Sequence, residues 1–233
     1  MTTLSTHRVL ITGFYDWRDL GDPPALQRCR DNPSCRVLTG AGVGPRDLKG
    51  PLATLLRSHF MDRADVHIEF RLLTVTWGSA TQITLDDYDQ VIHLGLGVYD
   101  SFHRVLIESG AYNHRDGTDA AGHQVDDPIV VNADKILSPS KRVRAGLQRA
   151  LNASLPSPFK LVKIDARRSN TYLCNETHYR ALNWIQSYPR SRLKEAYFVH
   201  IPHREGDDDQ ELARALSPII TSLIDHPTHT SQN

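Results

Sequence analysis

Three side chains in this 233-residue sequence are of the types that together do nucleophilic chemistry: Cys174, His200 and Glu108. Cys174 opens a helical pattern, Tyr179, Leu182, Ile185 and Tyr188, just after a strand and a polar loop. A thiol there faces the unpaired N–H groups and positive dipole end of the helix, which is expected to lower its pKa toward the reactive thiolate. A thiolate nucleophile needs a base, most often His, and a third group that orients the base. His200 ends the strand-like Tyr197-Phe198-Val199, and Glu108 follows the loop leaving the strand Val91 to Leu94. All three then lie at or beyond the carboxyl ends of strands, where α/β sheets gather their active sites. Each also has an ordinary structural reading: a small buried hydrophobe, a satisfied core imidazole and a solvated surface charge. Periodicity alone does not assemble them into a triad.

The elements that must position these residues are legible as short apolar runs rich in β-branched side chains. Strands are expected at Val9-Leu10-Ile11, Ile68 to Val75, Val91 to Leu94, Ile129-Val130-Val131, Leu161 to Ile164 and Tyr197 to Val199. Nearly continuous apolar strands suit a sheet covered on both faces. Between them Leu48, Leu52, Leu55 and Leu56 share a helix face, as do Val143, Leu147 and Leu151. Leu212, Leu216, Ile219, Ile220 and Leu223 make a further stripe, capped by Asp207, Asp208 and Asp209. Pro218 inside that stripe is expected to kink or split the helix. The alternation implies a three-layer α/β/α sandwich with a twisted, mainly parallel sheet. No repeat or linker divides the chain, so residues 1–233 read as a single domain. Residues 31–46, with Pro33, Gly40, Gly42, Gly44 and Pro45, read as a loop insertion, and the polar tail 227–233 as frayed.

Composition narrows the function classes. Lys plus Arg and Asp plus Glu each number 27, so there is no overall bias toward nucleic acid or anionic membrane. No apolar run approaches the roughly 20 residues of a membrane helix. Met1 to His7 is polar and leads straight into a strand, so no secretory signal is expected. Cys29, Cys35 and Cys174 are too few for a disulfide framework and leave at least one thiol free, which favours a reducing compartment. Gly40-Ala41-Gly42-Val43-Gly44 lacks the spacing of a dinucleotide or phosphate loop, and no set of ligands at metal spacing stands out around His200 and His203.

The wording around the candidate residues resembles one family. Thr171-Tyr172-Leu173-Cys174-Asn175, Phe198-Val199-His200-Ile201-Pro202 and Ile107-Glu108-Ser109-Gly110-Ala111-Tyr112-Asn113 resemble three blocks of the type I pyroglutamyl peptidases. Val9 to Phe14 is similar to that family's first strand and turn, and Val91 to Gly95 to its central strand, so the resemblance runs in order from about residue 8 to residue 224. It implies Cys174 as nucleophile, His200 as general base and Glu108 as orienting carboxylate. It implies a cytoplasmic cysteine peptidase that removes N-terminal 5-oxoproline from small peptides or amides without metal or cofactor, often as a homo-oligomer such as a dimer or tetramer. Phe14, Trp17, Leu96, Asn113 and Arg115 are the substrate-binding candidates on the same ground.

Departures from the family are concentrated at the pocket. The family's first turn reads G-F-x-P-F-G, whereas Asp16 and Trp17 follow Phe14 here. Ser169 and Asn170 replace the small Ala-Gly before the cysteine block, behind Arg167 and Arg168. Leu96 stands where some members have Gln, and Arg115 lies in a loop that aligns poorly with the family's arginine. Two alternatives therefore stand beside the peptidase: a homologue repurposed for another lactam or amide, and a catalytically silent binding protein of the same fold.

Overall fold

The computed structural model describes residues 6–17, 29, 32–40, 48–97, 102–138, 145–166, 168–202 and 209–225. The β-branched runs form the strands β1 (His7–Phe14), β2 (Val66–Leu73), β3 (Gln90–Gly97), β4 (Arg104–Glu108), β9 (Lys160–Ile164) and β10 (Glu195–Pro202) of one sheet. Shorter strands β5 (Ala111–Tyr112) and β8 (Ile136–Leu137) pair with each other, as do β6 (Arg115–Thr118) and β7 (Gln124–Asp127). The helices are α1 (Pro33–Thr39), α2 (Pro51–His59), α3 (Ala145–Ser154), α4 (Leu173–Ser187) and α5 (Asp209–Asp225).

The main sheet runs β2-β1-β3-β10-β4-β9. Neighbours are parallel throughout except where β4 meets β10 antiparallel. Side chains alternate between the faces. Val9, Ile11, Ile92, Leu94, Val105, Ile107, Val199 and Ile201 pack with α1, α2, α3 and α5 on one side. Leu10, Phe14, Val91, Ala196 and Phe198 pack under α4 on the other. This is the expected three-layer, mainly parallel sandwich.

Four local expectations change. Val105-Leu106-Ile107 forms a strand of its own, β4, so Glu108 ends a strand rather than following a loop. Because β4 runs against β10, Glu108 falls level with Phe198, inside the sheet and not at its carboxyl edge. Ile129 to Val131 is a bend and turn, not a strand. It follows Pro128, precedes Asn132 at φ 61°, and bonds its backbone to Asn113 instead of a neighbouring strand. Pro218 does not split α5, which runs through it. The buried stripe from Leu212 to Ile224 holds the helix on the core across the proline.

The fourth correction concerns the expected insertion. Residues 33–39 within it are a helix, with Val37 and Leu38 fully buried. Pro33 sits in the first turn, where its missing N–H costs nothing, and Gly40 closes the end. The remainder of 31–46 beyond 32–40, and the tail 227–233, lie outside the described residues. Cys35 of this helix is joined to Cys29 in a disulfide, leaving Cys174 free. Asn32 caps α1 through Oδ1, which accepts from the Ser34 N–H at 3.1 Å and Oγ at 2.8 Å. Its Nδ2 donates to the Tyr15 carbonyl at 3.0 Å, tying α1 to the end of β1. Asn32→Ala is expected to lower unfolding free energy by about 1–2 kcal/mol in urea titration; an unchanged midpoint would show the cap to be dispensable.

Candidate active site

The chemistry gathers on the α4 face of the sheet. Register places His200 of β10 beside Gly95 of β3 on one side and Leu106 of β4 on the other. His200 Nε2 donates to Glu108 Oε1, two residues along β4 on the same face, so a carboxylate that can only accept sets the tautomer. Both side chains are almost wholly buried. Cys174 enters from above in the first turn of α4. A Cβ at Gly95 would lie 3.0 Å from its Sγ and 2.6 Å from Phe198 Cζ. The bare Gly95 lets the thiol descend next to the imidazole of its strand neighbour.

Side-chain amides hold that first turn in place. Asn175 Oδ1 accepts from the Tyr112 N–H at 2.9 Å, while Nδ2 donates to the Tyr112 and His114 carbonyls. No side chain caps α4: Tyr172, at the N-cap, makes no such bond. The first intrahelical bond is from the Glu176 N–H to the Tyr172 carbonyl, so the N–H groups before it have no helical acceptor.

No protein-family model matches the sequence, and no curated protein sequence matches it. Solved structures do. The pyrrolidone carboxyl peptidase of the hyperthermophile Pyrococcus furiosus superposes with a TM-score of 0.64 at 20% identity, covering 94% of this chain and 99% of its own. Pyroglutamyl peptidase I of Bacillus amyloliquefaciens gives 0.65 at 16% identity over 94% and 98%. The pyrrolidone carboxyl peptidase of Fervidobacterium islandicum gives 0.62 at 17% over 95% and 98%. The chain has the pyroglutamyl peptidase fold.

On that fold the expected site residues divide. Cys174, His200 and Glu108 come together. Phe14 and Trp17 sit at and just past the end of β1, packed in the apolar cluster beneath α4 with Leu173 and Phe198. Leu96 alternates to the opposite face from Gly95. The Asn113 amide is occupied by the Val130 backbone and the Ala133 carbonyl, so it shapes the 129–133 turn. Arg115 pairs with Asp127 and with the buried Glu176. Glu176 also accepts from Arg180 and from the Gly78 N–H, clamping α4 to the β6–β7 hairpin and to a nearby turn. Arg115 is therefore part of a structural clamp.

Two imidazoles escaped the sequence reading. His178, one helical turn after Cys174, is fully buried, with neither ring nitrogen hydrogen-bonded among the described residues. His93 is equally buried; Nδ1 meets Thr12 Oγ1 at 2.8 Å, and Nε2 has no described partner. Both rings, with His200, surround the Phe198 phenyl at centroid distances of 4.8–6.1 Å. The helical i, i+4 spacing of Cys174 and His178 was the available signal. Among the described residues no group of three or more His, Cys, Asp or Glu is placed to hold a metal.

Burial dominates the electrostatics. It pushes the Cys174 thiol well above its usual range, and the Glu108 charge adds to the effect, the reverse of the lowering expected from the helix end. Glu108 feels the same desolvation, but the His200 bond, the neighbouring imidazoles and Asn170 outweigh it and bring its pKa below the usual carboxylate value. Burial lowers His178 to about 4, with His200 adding to the fall and Glu108 opposing it. Burial and His178 together lower His93 to about 3.

These neutral imidazoles link stability to acid. Each binds its proton more weakly folded than unfolded, so stability is complete above pH 6.5 and is lost as pH falls toward about 4 for His178. The loss reaches at most about 1.4 kcal/mol per pH unit for each histidine. In urea unfolding at pH 7 and pH 5, His178→Leu is expected to lose measurably less stability than the wild type. Equal losses would mean that His178 does not remain neutral in the fold.

Proposed function

We propose that this chain is a cysteine hydrolase, a divergent pyroglutamyl peptidase that removes N-terminal 5-oxoproline from small peptides or amides. The observation that carries the reading is the convergence of Cys174, His200 and Glu108 on one buried face of that fold, with the His200–Glu108 hydrogen bond made. The Bacillus amyloliquefaciens protein of the same fold is named a pyroglutamyl peptidase.

The thiol rests neutral in this reading, because burial opposes the thiolate. As Sγ attacks the exocyclic carbonyl joining 5-oxoproline to the next residue, His200 Nδ1 takes the thiol proton. Glu108 steadies the imidazolium through Nε2. Uncapped N–H groups at the start of α4 receive the oxyanion. The imidazolium then protonates the leaving amine, and the acyl group remains on Cys174 as a thioester. His200 next deprotonates a water that attacks the thioester, giving 5-oxoproline, and returns the proton to sulfur. Cytoplasmic location and a homo-oligomer belong to the same proposal.

One observation favours a changed substrate. Asp16, where the resembling family has a proline, is buried, and Trp17 packs into the cluster with Phe14. That supports the repurposed homologue acting on another lactam or amide as the second reading.

A fluorogenic 5-oxoprolyl amide decides between them. Turnover abolished by Cys174→Ala, and lowered on the order of ten-thousandfold by Glu108→Gln, is the expected result. No turnover, with an acyl group of another mass trapped on Cys174, would favour the repurposed enzyme. No acyl-enzyme from any lactam or amide tried would leave the silent binding protein. Alkylation of Cys174 by iodoacetamide is expected to be slow at neutral pH and to accelerate with pH up to a midpoint above that of a free cysteine. A fast, pH-independent plateau at neutral pH would show a preformed thiolate.

A further inference from the structure

We propose that Asn170 is a positioning residue of the catalytic set, its amide fixing the Glu108 carboxylate and tying the loop that delivers the nucleophile to the base. The inference rests on the cysteine-hydrolase reading. Asn170 lies four residues before Cys174, and its half-buried side chain donates from Nδ2 to Glu108 Oε1 at 2.7 Å. The same oxygen accepts from His200, while Oε2 is buried without a described partner. Two donors on one oxygen leave the carboxyl a single orientation. Rotation about its last bond would carry Oε1 away from both.

The bond also spans the site. Its ends are β4, which carries Glu108, and the loop into α4, which carries Cys174. That loop is held from the other side by the Asp116 N–H, which donates to the Thr171 carbonyl at 3.0 Å. With Asn170 in place, the distance from thiol to imidazole is set through β4 as well as by packing on Gly95. Small residues stand here in the resembling family, so the amide is a feature of this chain.

The amide has an electrostatic effect as well. The groups facing the carboxyl are His200 from β10 and His178 and Cys174 from α4. A donor on Oε1 spreads the negative charge and weakens the field that opposes the Cys174 thiolate.

The test measures the alkylation rate of Cys174 by iodoacetamide against pH, a readout that needs no substrate, beside turnover of the 5-oxoprolyl amide. Asn170→Ala removes the donor. Asn170→Asp keeps the shape and places a second carboxylate on the first. The alkylation midpoint is expected to rise in the order wild type, Asn170→Ala, Asn170→Asp. For Asn170→Ala, kcat is expected to fall on the order of ten- to a hundredfold with little change in KM. Circular dichroism melts confirm that each variant is folded; if the alanine variant is not, the near-isosteric aspartate carries the comparison with wild type alone. Midpoints that coincide with wild type in the folded variants overturn the proposal. If wild type fails to turn over the amide while the midpoints shift as ordered, the 5-oxoproline assignment fails and Asn170 stands.

Discussion

Helix α4 can bring its first turn down onto the sheet only because position 95 carries no side chain. A methyl group there would meet both the Phe198 ring and the Cys174 sulfur. From that approach follows the rest of the site. Parallel pairing sets Gly95 beside His200, and the reversed strand β4 brings Glu108 within reach of the same ring. Asn175 and Glu176, next in the chain after the cysteine, fasten the helix to β5, the β6–β7 hairpin and the Gly78 turn. Lifting α4 by the width of one methyl would part the thiol from the imidazole and strain each of these bonds together.

Such close seating has an electrostatic consequence. A helix N-terminus favours a nearby anion by about 0.3–2 kcal/mol, while desolvation disfavours the charged form of an ionisable group. At Cys174 the second effect is the larger, and the negative Glu108 works in the same direction. The thiol is thus favoured over the thiolate in the resting protein. His93 and His178 obey the same balance: with few partners to stabilise a cation, each stays neutral. Buried polar groups without hydrogen-bond partners cost stability, and among the described residues His93 Nε2 and both ring nitrogens of His178 are such groups, all on the α4 side of the sheet.

The fold was largely legible because its signals are local. Apolar β-branched runs marked β1, β2, β3, β9 and β10, and the spacing of leucines and isoleucines marked α2, α4 and α5. Misreadings came where a local signal has two meanings. Pro33 and Gly40 punctuate loops, but they also begin and end helices, and burial of Val37 and Leu38 decided for the helix. Ile129 to Val131 has strand composition, yet among the described residues no strand pairs with it. The short run Val105-Leu106-Ile107 before Glu108 is too brief to stand out as a strand by composition, and its direction is set only by its pairing with β10.

By itself the sequence determined the layers, a cysteine at a helix start, and three residue types able to act as nucleophile, base and orienting acid. Those properties depend on neighbours within a few positions. Tertiary structure alone decided which way β4 runs, and hence that Glu108 meets His200 deep in the sheet. It also decided that Arg115 serves a clamp and that Asn170 bonds Glu108 across 62 residues of chain. The sign of the Cys174 shift was settled there too, since desolvation depends on everything packed around the sulfur, whereas a helix end can be read from the chain alone.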